Sequence, residues 1–244
     1  MEKLAINKSF SSENYEQRNN VIDKIVIHYT YTGENLSLQL LTQKKYKVSA
    51  HYLINEQGLI YNLLDEGLRA WHVGNSYWQG NTDLNSSTIG IELINNGCEQ
   101  FSQPQVASLI ALLKNLKQRY AIENYNIFGH SDLATPYLRK IDPGPLFPWK
   151  RLAKEHVVLW HDFDLILSRK ILFNFLQNSE EILNLKRQLK NIGFKVVNLD
   201  SKFDIELLNI VRIINLRYDP LNFNNSINDL TIKIIDWLSN IYKV

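Results

Sequence analysis

Two histidines and an aspartate are the residues of this chain whose types and positions best fit a metal site. His28 follows the apolar run KIVI, His130 follows NIFG, and Asp142 lies twelve positions after His130. A catalytic zinc ion takes three nitrogen, oxygen or sulfur ligands from the protein and keeps one position open for water. The loop 131–141 is long enough to bring both imidazoles and the carboxylate to one ion. The spacing by itself fits hydrogen-bonded structural histidines equally well.

Two further residues have the chemistry that such an ion would need beside it. Glu92 follows the apolar run IGI of a predicted strand, where a carboxylate is costly unless it has a partner or a task. Next to a metal-bound water it could act as a general base, and a salt-bridged glutamate at a strand end is the alternative. Lys140 lies two residues before Asp142, on the same face of an extended segment, where it could stabilise an oxyanion or be an ordinary surface lysine.

A group of aromatic and histidine side chains could line a sugar-binding groove. The group comprises His51, Trp71, His72, Tyr77 and Trp78. Aromatic faces pack on carbohydrate, but most single aromatic residues are buried in a core, and we favour core packing for most of these.

The elements that position these residues alternate between strands and helices. Short apolar, β-branched runs predict strands at 24–29, 48–54, 59–63, 87–94 and 126–130, and apolar residues at helical spacing predict a helix at 103–120. This alternation indicates an α/β sheet. Three of the strands end at His28, Glu92 and His130. Because sites in open α/β sheets gather at strand ends, we expect these three side chains to converge.

The last third of the chain changes character. Apolar stripes predict helices at 178–192, 203–218 and 226–242, which indicates a compact three-helix module. The stripes consist of Ile182, Leu185, Leu189 and Ile192 in the first helix and of Leu230, Ile234, Trp237, Leu238 and Ile241 in the last. The Pro- and Gly-rich segment 142–149 predicts an ordered loop. We therefore expect an N-terminal arm at 1–20, a main domain at 21–160 and a helical domain at 165–244.

Composition excludes several classes of protein. The chain has 244 residues, 45% of them hydrophobic, which is enough for a sizeable core and a small second domain. A net charge of +2 does not point to nucleic acid, and no apolar run is long enough to predict a membrane span. Cys98 is the single cysteine, so no intrachain disulfide is expected. The N-terminus lacks the apolar region and cleavage site of an export signal, and the cellular compartment stays open. We expect a monomer.

Five motifs together resemble a known family. KIVIHYT, VSAHYLI, RAWHVGNSYW, STIGIEL and GHSDLATPYLRKIDPGPLFPW are similar to the type 2 N-acetylmuramoyl-L-alanine amidases, and most closely to their AmiD branch. That family is related to the peptidoglycan recognition proteins and to phage T7 lysozyme. The resemblance covers about residues 20 to 155. It implies a mixed, mostly parallel central sheet flanked by helices, and hydrolysis of the amide between the lactyl group of N-acetylmuramic acid, or its 1,6-anhydro form, and L-alanine in peptidoglycan or muropeptides.

The resemblance also implies a role for each matching position. His28, His130 and Asp142 match the ligands of one Zn²⁺ per chain, Glu92 matches the catalytic glutamate, and Lys140 matches the lysine near the developing oxyanion; Ser49, His51, Trp71 and His72 match positions that line the substrate cleft. The last third resembles the peptidoglycan-binding module that follows the AmiD catalytic domain. There, RIINLRYDP and NNSINDL replace the family's AFQ-like stretch and Gly-Asp turn.

Three alternatives stand beside a wall-degrading amidase. A non-catalytic peptidoglycan-recognition module would lack the third ligand, whereas Asp142 and Glu92 are both present here. A recycling amidase acting on small anhydro-muropeptides fits the missing export signal, and the helical module fits work on polymeric wall. A zinc peptidase is disfavoured because the sequence has no HExxH motif.

Overall fold

The structure is a computed structural model that describes residues 4–135, 137–163, 169–222 and 226–242. The chain divides into two compact units. The first comprises Met1–Gly74, Asp83–His130 and Asp142–Leu159, and the second comprises Asn75–Thr82, Ser131–Ile141 and Trp160–Val244. Two short segments of the second unit therefore come from within the predicted main domain. The predicted domain boundaries themselves stay a prediction.

Strands and helices alternate through the first unit, and helices dominate the second. The strands are β1 (Ile6–Asn7), β2 (Tyr15–Gln17), β3 (Lys24–Tyr29), β4 (Tyr52–Ile54), β5 (Ile60–Asn62), β6 (Leu68–Ala70), β7 (Thr88–Leu93), β8 (Ile127–Gly129), β9 (Ile171–Asn174) and β10 (Ser226–Asn228). The helices are α1 (Glu34–Thr42), α2 (Gln103–Tyr120), α3 (His130–Leu133), α4 (Trp149–Lys154), α5 (Glu180–Ile192), α6 (Ile205–Tyr218) and α7 (Asp229–Ile241). Short 3₁₀ turns occupy Lys44–Tyr46, Leu84–Ser86 and Asn124–Asn126.

The first unit is built on a six-stranded sheet in the order β1-β5-β4-β7-β3-β8. Every neighbouring pair is parallel except β4 and β5, which form an antiparallel pair. This confirms the predicted mixed, mostly parallel sheet. All six residues of β7 are buried, as expected for a parallel strand that is covered on both faces.

The register of β3, β7 and β8 sorts their side chains onto two faces. Val26 pairs with Gly90 and with Phe128, and His28 pairs with Glu92, so these side chains share one face. The alternate residues are aliphatic and fully buried on the opposite face; they include Ile25, Ile27, Ile89, Ile91 and Ile127. One face of these strands is thus mainly aliphatic, and the other carries His28 and Glu92 next to the buried Val26 and Phe128.

Helix α2 has the predicted bounds, and its predicted apolar stripe is buried. Ser102 caps its first turn by accepting a hydrogen bond from the Gln105 amide. The Gln105 side-chain amide donates to the carbonyls of Ile54 and Ile94, each at 3.0 Å, and so ties α2 to the chain at the ends of β4 and β7.

The N-terminal segment contributes two strands that were not predicted. Strand β1 pairs in parallel with β5, and β2 pairs antiparallel with β6. Arg18 follows β2 and donates to five backbone carbonyls, those of Glu66, Leu68, Asn85, Ser86 and Thr88. The N-terminal segment is therefore an integral part of the first unit, although its sequence is mostly polar.

The second unit contains α5, α6, α7 and the antiparallel pair β9–β10. The predicted stripe of α5 is buried throughout. In α7, Trp237 and Ile241 are half-buried, so two members of its predicted stripe lie at the edge of the core. The predicted start of α7 was also wrong, because Ser226–Asn228 form β10 and Asn228 caps the helix. None of the helices in the described ranges has the length and apolarity to cross a bilayer.

Candidate metal centre

Two strands and one returning loop bring the predicted ligands together. His28 lies in β3, whereas His130 opens α3 directly after β8, so the predicted strand 126–130 ends one residue too late. Asp142 returns to this point because Pro143 packs on the backbone of Gly129. A Cβ atom at Gly129 would lie 2.6 Å from Cδ of Pro143, so only glycine permits this approach.

The three ligand atoms form a nearly equilateral triangle. Nδ1 of His28 lies 3.1 Å from Nδ1 of His130 and 3.0 Å from Oδ2 of Asp142, and the third side, from His130 Nδ1 to Asp142 Oδ2, is 3.1 Å. All three residues are buried. The structure thus brings the three proposed ligands together, and the group can hold a metal ion.

The tautomer of His130 follows from the hydrogen bond of Nε2, the ring nitrogen that points away from the triangle. This nitrogen lies 3.0 Å from the carbonyl oxygen of Val73. A carbonyl only accepts, so Nε2 carries the ring hydrogen, and Nδ1 of the neutral ring presents a lone pair to the triangle. On the other ligand, Nε2 of His28 lies 3.0 Å from Nδ1 of His72.

Asp142 is an ionised carboxylate in this setting. Burial alone would raise its pKa, but His130 and His28, whose Nδ1 atoms face Oδ2 at 3.1 and 3.0 Å, lower that pKa far below its usual value. A buried anion facing two imidazole nitrogens is a site for a cation.

The donor set and its spacing fit zinc. Two imidazole nitrogens and one carboxylate oxygen are a ligand set of catalytic zinc sites. Tetrahedral zinc with bonds of about 2.0–2.1 Å spaces its ligand atoms about 3.3 Å apart, close to the sides of the triangle. A carbonyl partner on the outer nitrogen of a ligating histidine, as His130 has, is also usual at metal sites.

The two predicted catalytic residues differ in burial and belong to different units. Glu92 is 9% exposed and lies beside His28 on the neighbouring strand, with its side chain on the same face of the sheet. Lys140 is exposed and belongs to the second unit. The catalytic roles of both residues stay predictions.

Three of the four predicted substrate-lining residues are buried. Ser49 and His51 have no exposed surface, and His72 is 7% exposed. Ser49 exchanges two hydrogen bonds with Trp71, one through its backbone amide and one through its hydroxyl oxygen. Trp71 is half-buried and is the most exposed of the four. Their role in lining a cleft stays a prediction, and the contacts of the buried three are internal.

His51 is enclosed by backbone groups and Arg18. The amide of Gly90 donates to its Nδ1 at 3.0 Å, so Nε2 carries the hydrogen and donates to the Leu68 carbonyl. Burial lowers the pKa of His51 to about 4, and burial together with the neighbouring His28 ring lowers the pKa of His72 as well. Both rings are therefore neutral at ordinary pH.

The two remaining aromatic candidates lie in the second unit. Trp78 is 3% exposed and meets the rings of Phe194 and Tyr242 edge-on, with centroids 5.2 and 5.3 Å away. Tyr77 is half-buried. Trp78 therefore has the core position that was favoured for most of these aromatics.

Sequence reasoning missed several residues around the triangle, among them Arg18, Val73 and Thr88. The backbone carbonyl of Val73 leaves no trace in residue type. One signal was available, because an isolated glycine inside a strand pattern, such as Gly90 in STIGIEL, indicates a close approach by another group. A Cβ atom at Gly90 would lie 2.6 Å from Cγ of His72.

The sequence profile of the family described as N-acetylmuramoyl-L-alanine amidase matches residues 17–145, which is more than half of the chain. The chain belongs to this amidase family. The resemblance drawn from the five motifs is thereby confirmed.

This chain has curated relatives in several bacteria. It is 41% identical over 157 residues to the N-acetylmuramoyl-L-alanine amidase AmiD of Escherichia coli, covering 58% of this chain and 55% of AmiD. It is 27% identical over 201 residues to a putative N-acetylmuramoyl-L-alanine amidase of Rickettsia conorii, covering 80% and 74% of the two chains. In these sequence matches the chain spans about half the length of AmiD and of AmpD, another relative that it matches.

Two solved structures resemble this chain over nearly its whole length. E. coli AmiD in complex with the substrate anhydro-N-acetylmuramic acid-L-Ala-D-γ-Glu-L-Lys gives a TM-score of 0.77 at 30% identity, covering 91% of this chain and 90% of AmiD. AmpDh3 of Pseudomonas aeruginosa in complex with anhydromuramic pentapeptide gives 0.75 at 25% identity, covering 100% of both chains.

The close packing at Gly90 predicts the effect of a single methyl group. Gly90→Ala places its Cβ atom against the His72 ring, so we expect a loss of about 1–3 kcal/mol in the free energy of unfolding, measured by urea denaturation. Gly33→Ser is the matched control, because a Cβ atom there meets nothing within 4 Å and serine is a favourable N-cap for α1. Wild-type stability in Gly90→Ala would contradict this packing.

Proposed function

We propose that this chain is a zinc-dependent amidase that hydrolyses the bond between the lactyl group of N-acetylmuramic acid and L-alanine of the stem peptide. The observation that carries the proposal is the triangle of donor atoms of His28, His130 and Asp142, with sides of 3.0–3.1 Å. Membership of the amidase family supports the reaction type.

The substrate class is proposed from relatives. AmiD and AmpDh3 are similar to this chain over most of its length, and their structures hold anhydromuramic peptides. We therefore propose muropeptides, including the 1,6-anhydro form, as substrates. Polymeric peptidoglycan is the second candidate substrate. The rates of hydrolysis of intact sacculi and of small anhydro-muropeptides would distinguish the two substrate classes.

The residues of the site divide the chemistry between them. Zinc bound to His28, His130 and Asp142 would lower the pKa of a bound water towards neutrality and polarise the scissile carbonyl. We assign to Glu92 the acceptance of the proton from the attacking water and its delivery to the leaving nitrogen of L-alanine. Glu92 is suited to this because it pairs with His28 in the register of β3 and β7, so that the two side chains share one face of the sheet.

Lys140 and Trp71 are proposed to act on the substrate itself. The ammonium of Lys140 would stabilise negative charge on the carbonyl oxygen during attack, and its exposure leaves it accessible. The half-buried indole of Trp71 would offer an apolar face to the muropeptide. Ser49 would support Trp71 through their two hydrogen bonds.

A non-catalytic peptidoglycan-recognition module is the alternative function. Such a module binds without a metal and needs neither the third ligand nor a general base. This chain has the complete donor triangle, and a buried carboxylate, Glu92, lies beside it. These two features favour the enzyme.

Removing the general base should separate zinc binding from hydrolysis. Glu92→Gln keeps the size of the side chain and all three ligands, so we expect it to retain one zinc per chain and to lose about a hundredfold or more in kcat. The measurement is digestion of anhydro-muropeptides followed by mass spectrometry, with zinc content measured on the same samples.

The control is Glu155→Gln, which alters an exposed carboxylate paired with Lys114 and should behave as the wild type. A chelator should abolish hydrolysis in the wild type, and added zinc should restore it. Near-wild-type turnover by Glu92→Gln would remove the role assigned to that residue. Cleavage that is indifferent to chelation would remove the metal mechanism.

The helical part of the second unit is proposed to be a wall-binding module that continues to about residue 244. A groove of about 670 Å³ lies along α5 and α7, and polar side chains dominate its lining: Asn184, Arg187, Gln188, Asn191 and Ser239, with Ile192 and Tyr242. Amide and guanidinium groups suit the hydroxyl, acetamido and carboxylate groups of peptidoglycan.

Co-sedimentation with purified sacculi tests this module. Arg187→Ala should reduce the bound fraction several-fold, because the groove loses its cation. Lys190→Ala is the matched control, since it removes the same charge from an exposed position of α5 that does not line the groove. Equal binding by the wild type and both variants would rule out the groove as the wall-binding site.

A further inference from the structure

His72 is the first member of a chain of hydrogen bonds that leads away from the metal centre. Its Nδ1 lies 3.0 Å from Nε2 of His28, and its Nε2 lies 3.0 Å from Oγ1 of Thr88. Oγ1 of Thr88 in turn lies 2.7 Å from the carbonyl oxygen of Leu84. His72 and Thr88 are both buried.

The donor and the acceptor of each hydrogen bond in this series follow from its last group, the Leu84 carbonyl. The Leu84 carbonyl only accepts, so the Thr88 hydroxyl donates to it and offers its lone pairs to His72. Nε2 of His72 therefore carries the ring hydrogen and donates to Thr88. Nδ1 of the neutral His72 is left as an acceptor, and His28 donates to it through Nε2–H. The remaining nitrogen of His28, Nδ1, then presents its lone pair to the triangle.

We propose that Thr88 and His72 form a relay that fixes the tautomer and orientation of His28 for metal binding. In this account both are positioning residues, and His72 acts through His28 rather than by touching substrate. The relay deepens the proposed function, because a ligating nitrogen must be unprotonated and correctly aimed before the ion arrives. The hydrogen-bond directions themselves do not rest on that function.

The same short segment orients the second histidine ligand. Asn85 follows Leu84, and its side-chain oxygen accepts from the backbone amides of His72 and Val73 at 3.0 and 3.1 Å. Val73 then supplies the carbonyl that accepts from His130. The segment 84–88 thus serves both imidazoles, His28 through Thr88 and His72, and His130 through Asn85 and Val73.

Two further features hold the relay in place. Gly90 leaves room for the His72 ring, because a Cβ atom at this position would lie 2.6 Å from Cγ of His72. Arg18 donates to the carbonyls of Ser86 and Thr88 at 2.8 and 3.1 Å, so the segment 84–88 is anchored from the N-terminal part of the chain. The relay therefore ends on backbone that is itself tied down, as a positioning device requires.

Ring ¹⁵N NMR of the metal-free wild-type protein tests the relay directly. We expect the spectra to assign the hydrogen of His72 to Nε2 and that of His28 to Nε2. A His72 ring protonated at Nδ1 would overturn the proposal, because it would donate to His28 instead of accepting from it. This measurement needs no variant and no catalytic assay.

Substitution of Thr88 supplies the functional readout, which is zinc affinity measured by competition with a chromogenic chelator. Thr88→Val removes the hydroxyl at constant shape, so the His72 tautomer is no longer fixed, and we expect zinc affinity to fall about tenfold or more. Thr88→Ser restores the hydroxyl and should restore both the affinity and the His72 tautomer.

Thr42→Val is the matched control, because the Thr42 hydroxyl also donates to a backbone carbonyl, that of Leu38 at 2.6 Å, but has no link to His72. It should bind zinc as the wild type does. Equal zinc affinity in Thr88→Val and Thr42→Val, with both folded by circular dichroism, would overturn the relay. A wild type that binds zinc but leaves muropeptides intact would instead refute the proposed function and leave the relay standing.

Discussion

The site is governed by one constraint: three electron-pair donors are held about as close as van der Waals contact allows, and their mutual repulsion must be compensated. Two imidazole nitrogens and a carboxylate oxygen lie 3.0–3.1 Å apart in a buried pocket, an arrangement that only a cation or shared protons can stabilise. An imidazole ring has one lone pair and one hydrogen when neutral. Each ring must therefore be held with its hydrogen pointing outwards, and the surrounding structure supplies an acceptor there for each.

The sheet meets this requirement by carrying different side chains on its two faces. Buried aliphatic side chains on one face hold β3, β7 and β8 in register, and that register places His28 beside Glu92. Two glycines then admit the groups that complete the site. Gly129 lets Pro143 approach and so returns Asp142 to the centre, and Gly90 leaves room for the His72 ring. The absence of a side chain at two positions is thus as necessary as the ligands themselves.

Sequence reasoning recovered the parts of the fold that local pattern determines. The strand at 24–29 and the helix at 103–120 have the predicted bounds, because β-branched runs and a capped apolar stripe encode them locally. The grouping of His28, His130 and Asp142 was also predicted, from the length of the loop 131–141 and from the family motifs, and the structure brings the three together. By contrast, β1 and β2 are only two and three residues long and exist through pairing with distant strands, which no local pattern reveals. The outward partners of the ligands were missed for a similar reason, since a backbone carbonyl such as that of Val73 has no residue type to mark it.

We propose that one zinc ion lies between His28, His130 and Asp142. Anomalous diffraction on crystals of the zinc-loaded protein, collected on both sides of the zinc absorption edge, tests it most directly. The account predicts one peak per chain, present only above the edge, at about 2.0–2.1 Å from each Nδ1 and from the Asp142 carboxylate. A zinc peak elsewhere, with these three side chains unliganded, would contradict it.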